Sequence, residues 1–353
     1  MDAATAKSEY DAHVRGQLLF VGATAIAILL AAVYALVSGP ISIPVARLGA
    51  ILTGQADGTN ARVVWHIRLP RIVAAIGAGA ALAVAGTVLQ SVLRNPLASP
   101  YTLGISQGAA FGAAVAIVLL DDNAAANDGF RVLLDNLYLT SASAFVFAMM
   151  SAFVILVVAR YRRASPETLV LTGIALASLF TAGTTVLEYV ATNVELATLV
   201  YWKFGDVGGS TWGANGFLVG VLLAVMAYFM WKAWDYNLLD AGDETAKSLG
   251  VDVERTRLLG TVVAAFATAV TVSLFGIIGF VGLVVPHIVR RVIGGDEQFL
   301  IPASCLAGAL LLLVADTLAR TLFVPLVFPV GILTSFIGAP LFIYLILEGR
   351  SYW

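Results

Sequence analysis

Long apolar runs separated by short polar or glycine-rich breaks fill most of the chain. They fall near 18–37, 70–92, 102–120, 137–159, 168–191, 213–234, 257–275, 276–289, 299–323 and 330–347. A bilayer core about 30 Å thick takes about 20 apolar helical residues to cross, so most of these runs are long enough to span it. The pattern predicts an all-α polytopic membrane protein with roughly ten transmembrane helices. Two stretches need a closer reading. From Leu258 to Val289 there are too few residues for two full helices, yet the chain must cross twice if Arg290 and Arg291 share a side with Arg255 and Arg257. One full span followed by a short return broken at Gly276, Gly279 and Gly282 resolves this, because irregular backbone at membrane depth is tolerated where protein packs around it or where it lines a cavity. The polar link 192–212 contains a short amphipathic piece, Val194 to Phe204, expected at the outer surface.

The polar leader 1–17 reads as a cytoplasmic tail and 18–353 as a single transmembrane domain, whose longest inner loop is 235–257. Of the 20 Lys and Arg, the larger share falls on the side of the N-terminus, including Arg15, Arg94, Arg160, Arg162, Arg163, Arg290, Arg291 and Arg350. That bias predicts a multi-pass protein of the cell membrane with both termini in the cytoplasm. Arg47, Arg62, Arg68, Arg71, Arg131, Lys203 and Arg320 fall on the opposite, outer side. In the next run, Gly104, Gly108 and Gly112 form an i, i+4, i+8 row suited to close approach of another helix.

Composition then narrows the chemistry. With 60% hydrophobic and 12% charged residues, against about 25% charged in soluble domains, the chain is no ordinary cytosolic enzyme. A net charge of -2 without basic clusters removes nucleic acid as a partner. The single cysteine, Cys305, offers neither disulfide nor metal-ligand spacing and reads as a packing residue, so neither metal nor cofactor is expected. None of Lys7, Lys203, Lys232 and Lys247 follows a glycine, so no phosphate-cradling loop is present and the chain does not hydrolyse ATP by that route. No nucleophile, base and metal-ligand constellation suggests an enzyme. The ionisable groups inside spans are Glu188 and Asp316, and Asp316 can pair with Arg320 one turn on. Were either to titrate, the chain would be an ion-coupled secondary carrier acting alone. Otherwise the simplest transporter is a permease subunit driven by a separate ATPase. The loop 235–257, with helix formers and Gly250 as a helix stop, is long enough to dock one.

Six strings, taken together, carry a resemblance: RLPR (Arg68–Arg71), LQSVLRNPLASPYTLGISQGAAFG (Leu89–Gly112), ETAKSLGV (Glu244–Val251), GIIGFVGLVVPHIVR (Gly276–Arg290), ADTLAR (Ala315–Arg320) and PVGILTSFIGAPLF (Pro329–Phe342). In this order they resemble the FecCD-type permeases of ATP-binding-cassette importers, which take up vitamin B12, ferric siderophores and haem. The resemblance implies an ABC importer type II permease architecture: a homodimer in membrane lipid, two ATPase subunits below it and an extracytoplasmic substrate-binding protein above. It implies binding-protein docking by Arg68, Arg71 and Arg320, where opposite charges would steer encounter and fix register; anchoring of lipid phosphate is the other reading of these arginines. It implies a cytoplasmic gate at Asn95, Pro96 and Leu97, with Thr87, Ser91, Ser99, Thr102 and Ser106 as a mild, weakly binding wall nearby. Glu244, Ala246, Leu249 and Gly250 would form the ATPase-coupling segment, flanked by Pro286 and Arg290; His287 is given no chemistry. Where the family commonly has an acidic residue two positions before PVG, this chain has Val327. The cargo implied is a large metal chelate, with cobalamin preferred over ferric siderophore or haem.

Overall fold

A computed structural model describes residues 3–39, 41, 43–55, 58–120, 137–162, 165–322 and 324–348. Arg131, Arg163 and Arg350, each assigned a side of the membrane above, lie outside them. The described residues form helices α1 (Ala3–Val37), α2 (Val45–Leu52), α3 (Thr59–Val63), α4 (Leu69–Val92), α5 (Ile105–Leu119), α6 (Leu137–Arg162), α7 (Pro166–Val190), α8 (Asn193–Lys203), α9 (Trp212–Asp240), α10 (Asp243–Ser248), α11 (Val253–Phe275), α12 (Val281–Ile293), α13 (Glu297–Thr321) and α14 (Val330–Glu348). Seven helical stretches are long and apolar enough to cross a membrane; α5 and α14 are shorter apolar helices and α12 is the broken return. Together they account for the expected crossings.

Most helix starts follow local chemistry that the sequence displays. Ser165 accepts from Thr168 N ahead of Pro166, Thr192 and Glu195 form a capping box, and Thr211, Asp252 and Asp296 cap α9, α11 and α13. Other boundaries differ from the hydrophobic pattern. The helix containing α1 begins well before residue 18, at Ala3. Helix α4 is continuous with α3 through one wide π turn, Val64–Arg68. Pro70, which has no N–H to donate to the preceding turn, accounts for the wide turn just ahead of it. The loop expected at 235–257 shrinks to either side of α10, since α9 runs on to Asp240 and α11 starts at Val253.

Helix α4 is the axis of the bundle. Every residue from Gly77 to Val92 is buried, and it packs against α13, α11, α9 and α12. Its small residues set the spacing. A Cβ at Gly79 would lie 2.2 Å from the Gly308 carbonyl of α13, and one at Gly86 would lie 1.8 Å from the Gly282 carbonyl of α12. A second layer, α5, α6 and α7, joins this core through α6 against α11. There Gly108 and Gly112 do what their spacing suggests, lying against the α6 backbone at Phe147 and Ser143, whereas Gly104 stands before α5 at φ +71° and meets Gly173 of α7.

Between α11 and α12 the chain leaves helical geometry, with Gly276 at φ +73° and Phe280 at φ +67°. This irregular backbone is held by protein, as membrane depth demands. Asp206 N donates to Phe275 O at 2.8 Å, Gly331 N donates to Gly205 O at 3.1 Å, and a Cβ on Gly276 would stand 2.2 Å from Trp202 O. The break, the end of α8 and the start of α14 are therefore one packed unit.

Candidate functional site

A cavity of about 730 Å³ opens beside that unit. Its wall comes from the 99–106 segment, the end of α8, the 277–283 break and the start of α14, backed by Leu82 and Thr268. The wall is largely apolar, with hydroxyls from Ser99, Thr102, Ser106 and Ser335 and a cation from Lys203; among the described lining residues there is no Asp, Glu or His. Ser99 and Thr102 brace the wall by bonding across to each other's backbone, at 3.0 Å and 3.3 Å. Thr87 and Ser91 do not belong to it. Both are buried; Thr87 donates to Ala83 O at 2.9 Å and Ser91 donates to Glu297.

At one end of the bundle the expected gate and coupling residues gather around the last turn of α4. That helix closes in a Schellman motif: Asn95 N donates to Gln90 O at 3.0 Å and Arg94 N to Ser91 O at 3.0 Å. Arg94, rather than a glycine, takes the left-handed position at φ +44°. The helix thus ends before Pro96, and the proline is not what terminates it. Asn95 Oδ1 then accepts from Leu97 N at 2.9 Å, leaving Pro96 half-buried and Leu97 exposed. Arg257, buried on α11, donates to Val92 O at 2.8 Å and to Asp243 of α10 at 3.0 Å. On α10 and its cap, Ala246 is buried while Glu244, Leu249 and Gly250 are exposed, with Gly250 at φ +89° as the expected stop. On α12, Pro286 is buried and Arg290 donates to Gln90 Oε1 at 3.2 Å and approaches Glu297 Oε1 at 3.4 Å. The turn that carries Asn95 is therefore wired to both α10 and α12.

At the other end stand the three arginines. Arg71 donates through Nε to both oxygens of Asp316, at 2.9 Å and 3.0 Å, and through Nη2 to Asp206 at 3.3 Å. Arg320 is farther from Asp316, at 3.9 Å, so the expected pairing one turn along α13 is secondary to Arg71. The guanidiniums of Arg68 and Arg320 instead reach the last turn of α1. Arg68 donates to the carbonyls of Leu36, Val37 and Ile41, and Arg320 to those of Ala35 and Ser38. Helix α1 has no basic residue in its own last turn, so two arginines from distant positions supply the cations its C-terminal carbonyls favour. Arg68 and Arg320 are buried, and Arg71 is 13% exposed. Val327 is exposed. Glu188 pairs with Lys203 at 2.8 Å, so both carboxylates considered for ion coupling sit in ion pairs. Cys305 is a free, half-buried thiol packed against the core.

Sequence reasoning missed Gln90, Arg257, Glu297 and Asp206. Arg257 and Glu297 each stand at the edge of an apolar run, where a charge reads as a boundary marker; only the tertiary contacts reveal them as ties. No group of His, Cys, Asp and Glu among the described residues could hold a metal ion.

The profile of the FecCD transport family matches residues 26–348. A protein of Methanocaldococcus jannaschii named as an ABC transporter permease is 49% identical over 340 residues, covering 96% of this chain and 97% of its own. The hemin transport system permease of Yersinia pestis is 39% identical over 292 residues, covering 82% and 85%. Among solved structures, an inward-facing metal-chelate type ABC transporter superposes with a TM-score of 0.81 at 31% identity, covering 93% of this chain and 98% of that one.

Proposed function

The chain belongs to the FecCD transport family, and from that premise we propose that it forms one half of a homodimeric pathway for a large metal chelate. Two separate ATPase subunits power it and an extracytoplasmic binding protein supplies it. As an ABC importer permease of the FecCD type it is a non-catalytic subunit in the membrane. The observation that carries the finer reading is the cavity: an apolar wall with a few hydroxyls, next to irregular backbone and without metal-ligating side chains. Such a wall passes a pre-formed chelate along rather than stripping its metal. A second copy facing it would close the passage.

In this reading the α10 end is cytoplasmic. Glu244, Leu249 and Gly250 meet the ATPase, and Asn95, Pro96 and Leu97 form the gate. Closure of the ATPase pair pushes α10, and the push reaches the gate turn through Asp243, Arg257 and Val92. The binding protein docks at the Arg71 end. Arg71, nearest to solvent of the three arginines, offers its guanidinium to a carboxylate of the partner in exchange for Asp206, while Arg68 and Arg320 fix the end of α1 around it. Cobalamin, haem and ferric chelates all fall within the cargo class.

The test is uptake in a strain deleted for the chain and complemented with it, its ATPase and its binding protein, using labelled cobalamin in competition with haem and ferric citrate. Accumulation of one chelate that stops when the ATPase cannot hydrolyse ATP is the expected result. Accumulation in liposomes by this chain alone, driven by a proton gradient, would overturn the reading.

A further inference from the structure

The cavity wall carries one formally charged side chain among its described lining residues, Lys203 in the last turn of α8. Its side chain is 38% exposed and its ammonium lies 2.8 Å from Glu188 of α7, which does not itself line the cavity. The other polar side chains on the wall carry hydroxyls, of Ser99, Tyr101, Thr102, Ser106, Thr268 and Ser335; those of Thr102, Thr268 and Ser335 already donate to backbone carbonyls, at 2.8 Å, 2.9 Å and 2.8 Å, so the ammonium is the group that sets the sign of the wall. Among its described lining residues the wall therefore carries a cation and no carboxylate, the balancing Glu188 standing outside the lining. An ion pair this exposed contributes little to stability, so the pair alone does not explain a charge placed on an otherwise apolar surface.

We propose that Lys203 selects cargo by charge. A carboxylate or propionate of the chelate replaces Glu188 as the partner of the ammonium during passage, so this permease carries a negatively charged metal chelate rather than an electrically neutral corrinoid. No bond is made or broken; one ion pair is exchanged for another, and Glu188 turns to solvent at the rim. The lean towards cobalamin drawn from the family resemblance has no residue behind it, whereas this wall gives the cargo a sign. The inference rests on the permease reading above and narrows it.

In cells expressing the chain with its ATPase and binding protein, ferric citrate, haem and cyanocobalamin are offered separately. Import of ferric citrate or haem, and not of cyanocobalamin, is expected. Lys203→Gln should lower that import about tenfold, while Lys203→Arg, which keeps the charge, stays within about twofold of wild type. Should Lys203→Gln fail to reach the membrane because Glu188 is left unpaired, the double variant Lys203→Gln/Glu188→Gln removes both charges together and is expected to show the same loss. Cyanocobalamin as the imported chelate would overturn this inference and leave the permease reading intact, as would wild-type import of the anionic chelate by the double variant. Import of none of the three would overturn both.

Discussion

Replacing Asp316 by Asn keeps the shape of the side chain and removes its charge from a site where it is 1% exposed. In the intact protein that carboxylate faces Arg71 through three contacts, at 2.8 Å, 2.9 Å and 3.0 Å, with Arg320 at 3.9 Å behind it. Without it, Arg71 keeps Asp206 at 3.3 Å, and Arg320 loses the carboxylate that stands 3.9 Å from it. Taking one partner from a buried ion pair costs about 3–5 kcal/mol, because the remaining charge stays desolvated. At about 1.3 °C per kcal/mol for 353 residues, that corresponds to a fall of roughly 4–7 °C in the unfolding midpoint of purified protein in detergent. The loss should also be local. Arg320 would be repelled by an unneutralised Arg71, so its hold on the Ala35 and Ser38 carbonyls weakens and amide exchange rises in the last turn of α1. A double-mutant cycle separates pairing from simple disruption: Arg71→Met/Asp316→Asn should lose less than the sum of the single variants, because each single change strands the other's charge. An Asp316→Asn midpoint within about 1 °C of wild type, or a double variant whose loss equals the sum, would refute the assignment of this pair as the tie between α4 and α13.

Two further expectations test the packing and the coupling surface. Gly86→Ala drives a methyl to 1.8 Å from the Gly282 carbonyl, a backbone atom that cannot swing away, and should cost about 1–3 kcal/mol; Gly279→Ala meets only Ser335 Oγ at 3.6 Å and should unfold with wild type, both read by thermal unfolding. Leu249, 62% exposed on the α10 cap, should when changed to Asp weaken co-purification of the ATPase at least about tenfold while leaving the unfolding midpoint unchanged.

Apolar periodicity and length were enough to foresee an all-helical membrane bundle, because a span leaves a compositional mark that no tertiary contact can erase. The shortage of residues between Leu258 and Val289 forced a broken crossing, and the break lies at Gly276–Phe280, within the glycine-bearing stretch expected. The stop at Gly250 and the glycine row of α5 were equally legible, since each is a local geometric requirement. What the sequence hid were contacts between distant charges. Arg68 and Arg320 read as surface arginines because their targets are backbone carbonyls at the end of α1, which have no side-chain signature. The Schellman end of α4 was masked because Arg94 fills a position that glycine usually announces. Asp316 was matched to Arg320, its neighbour along the helix, when its nearer partner lies on α4, 245 positions away.

These contacts divide the molecule into parts with different capacity to move. Helix α4 meets α13 and α12 at glycine crossings where backbone lies on backbone, and such contacts have no side chain that could repack to permit sliding. Part of the cavity wall shares that construction, since a Cβ on Gly276 would lie 2.2 Å from Trp202 O and one on Gly331 2.2 Å from Phe204 O; the 99–102 turn differs, being held by the reciprocal bonds of Ser99 and Thr102. Polar ties run from the rigid axis to both ends, through Gln90 and Val92 at one and Arg71 at the other. In the proposed mechanism a push on α10 reaches that axis through Asp243, Arg257 and Val92. A cargo or partner shifts that balance only to the extent that it binds one arrangement of the wall more tightly than the other. In the proposed exchange at Lys203 that differential arises where one arrangement of the wall brings the ammonium to the chelate and the other leaves it paired with Glu188.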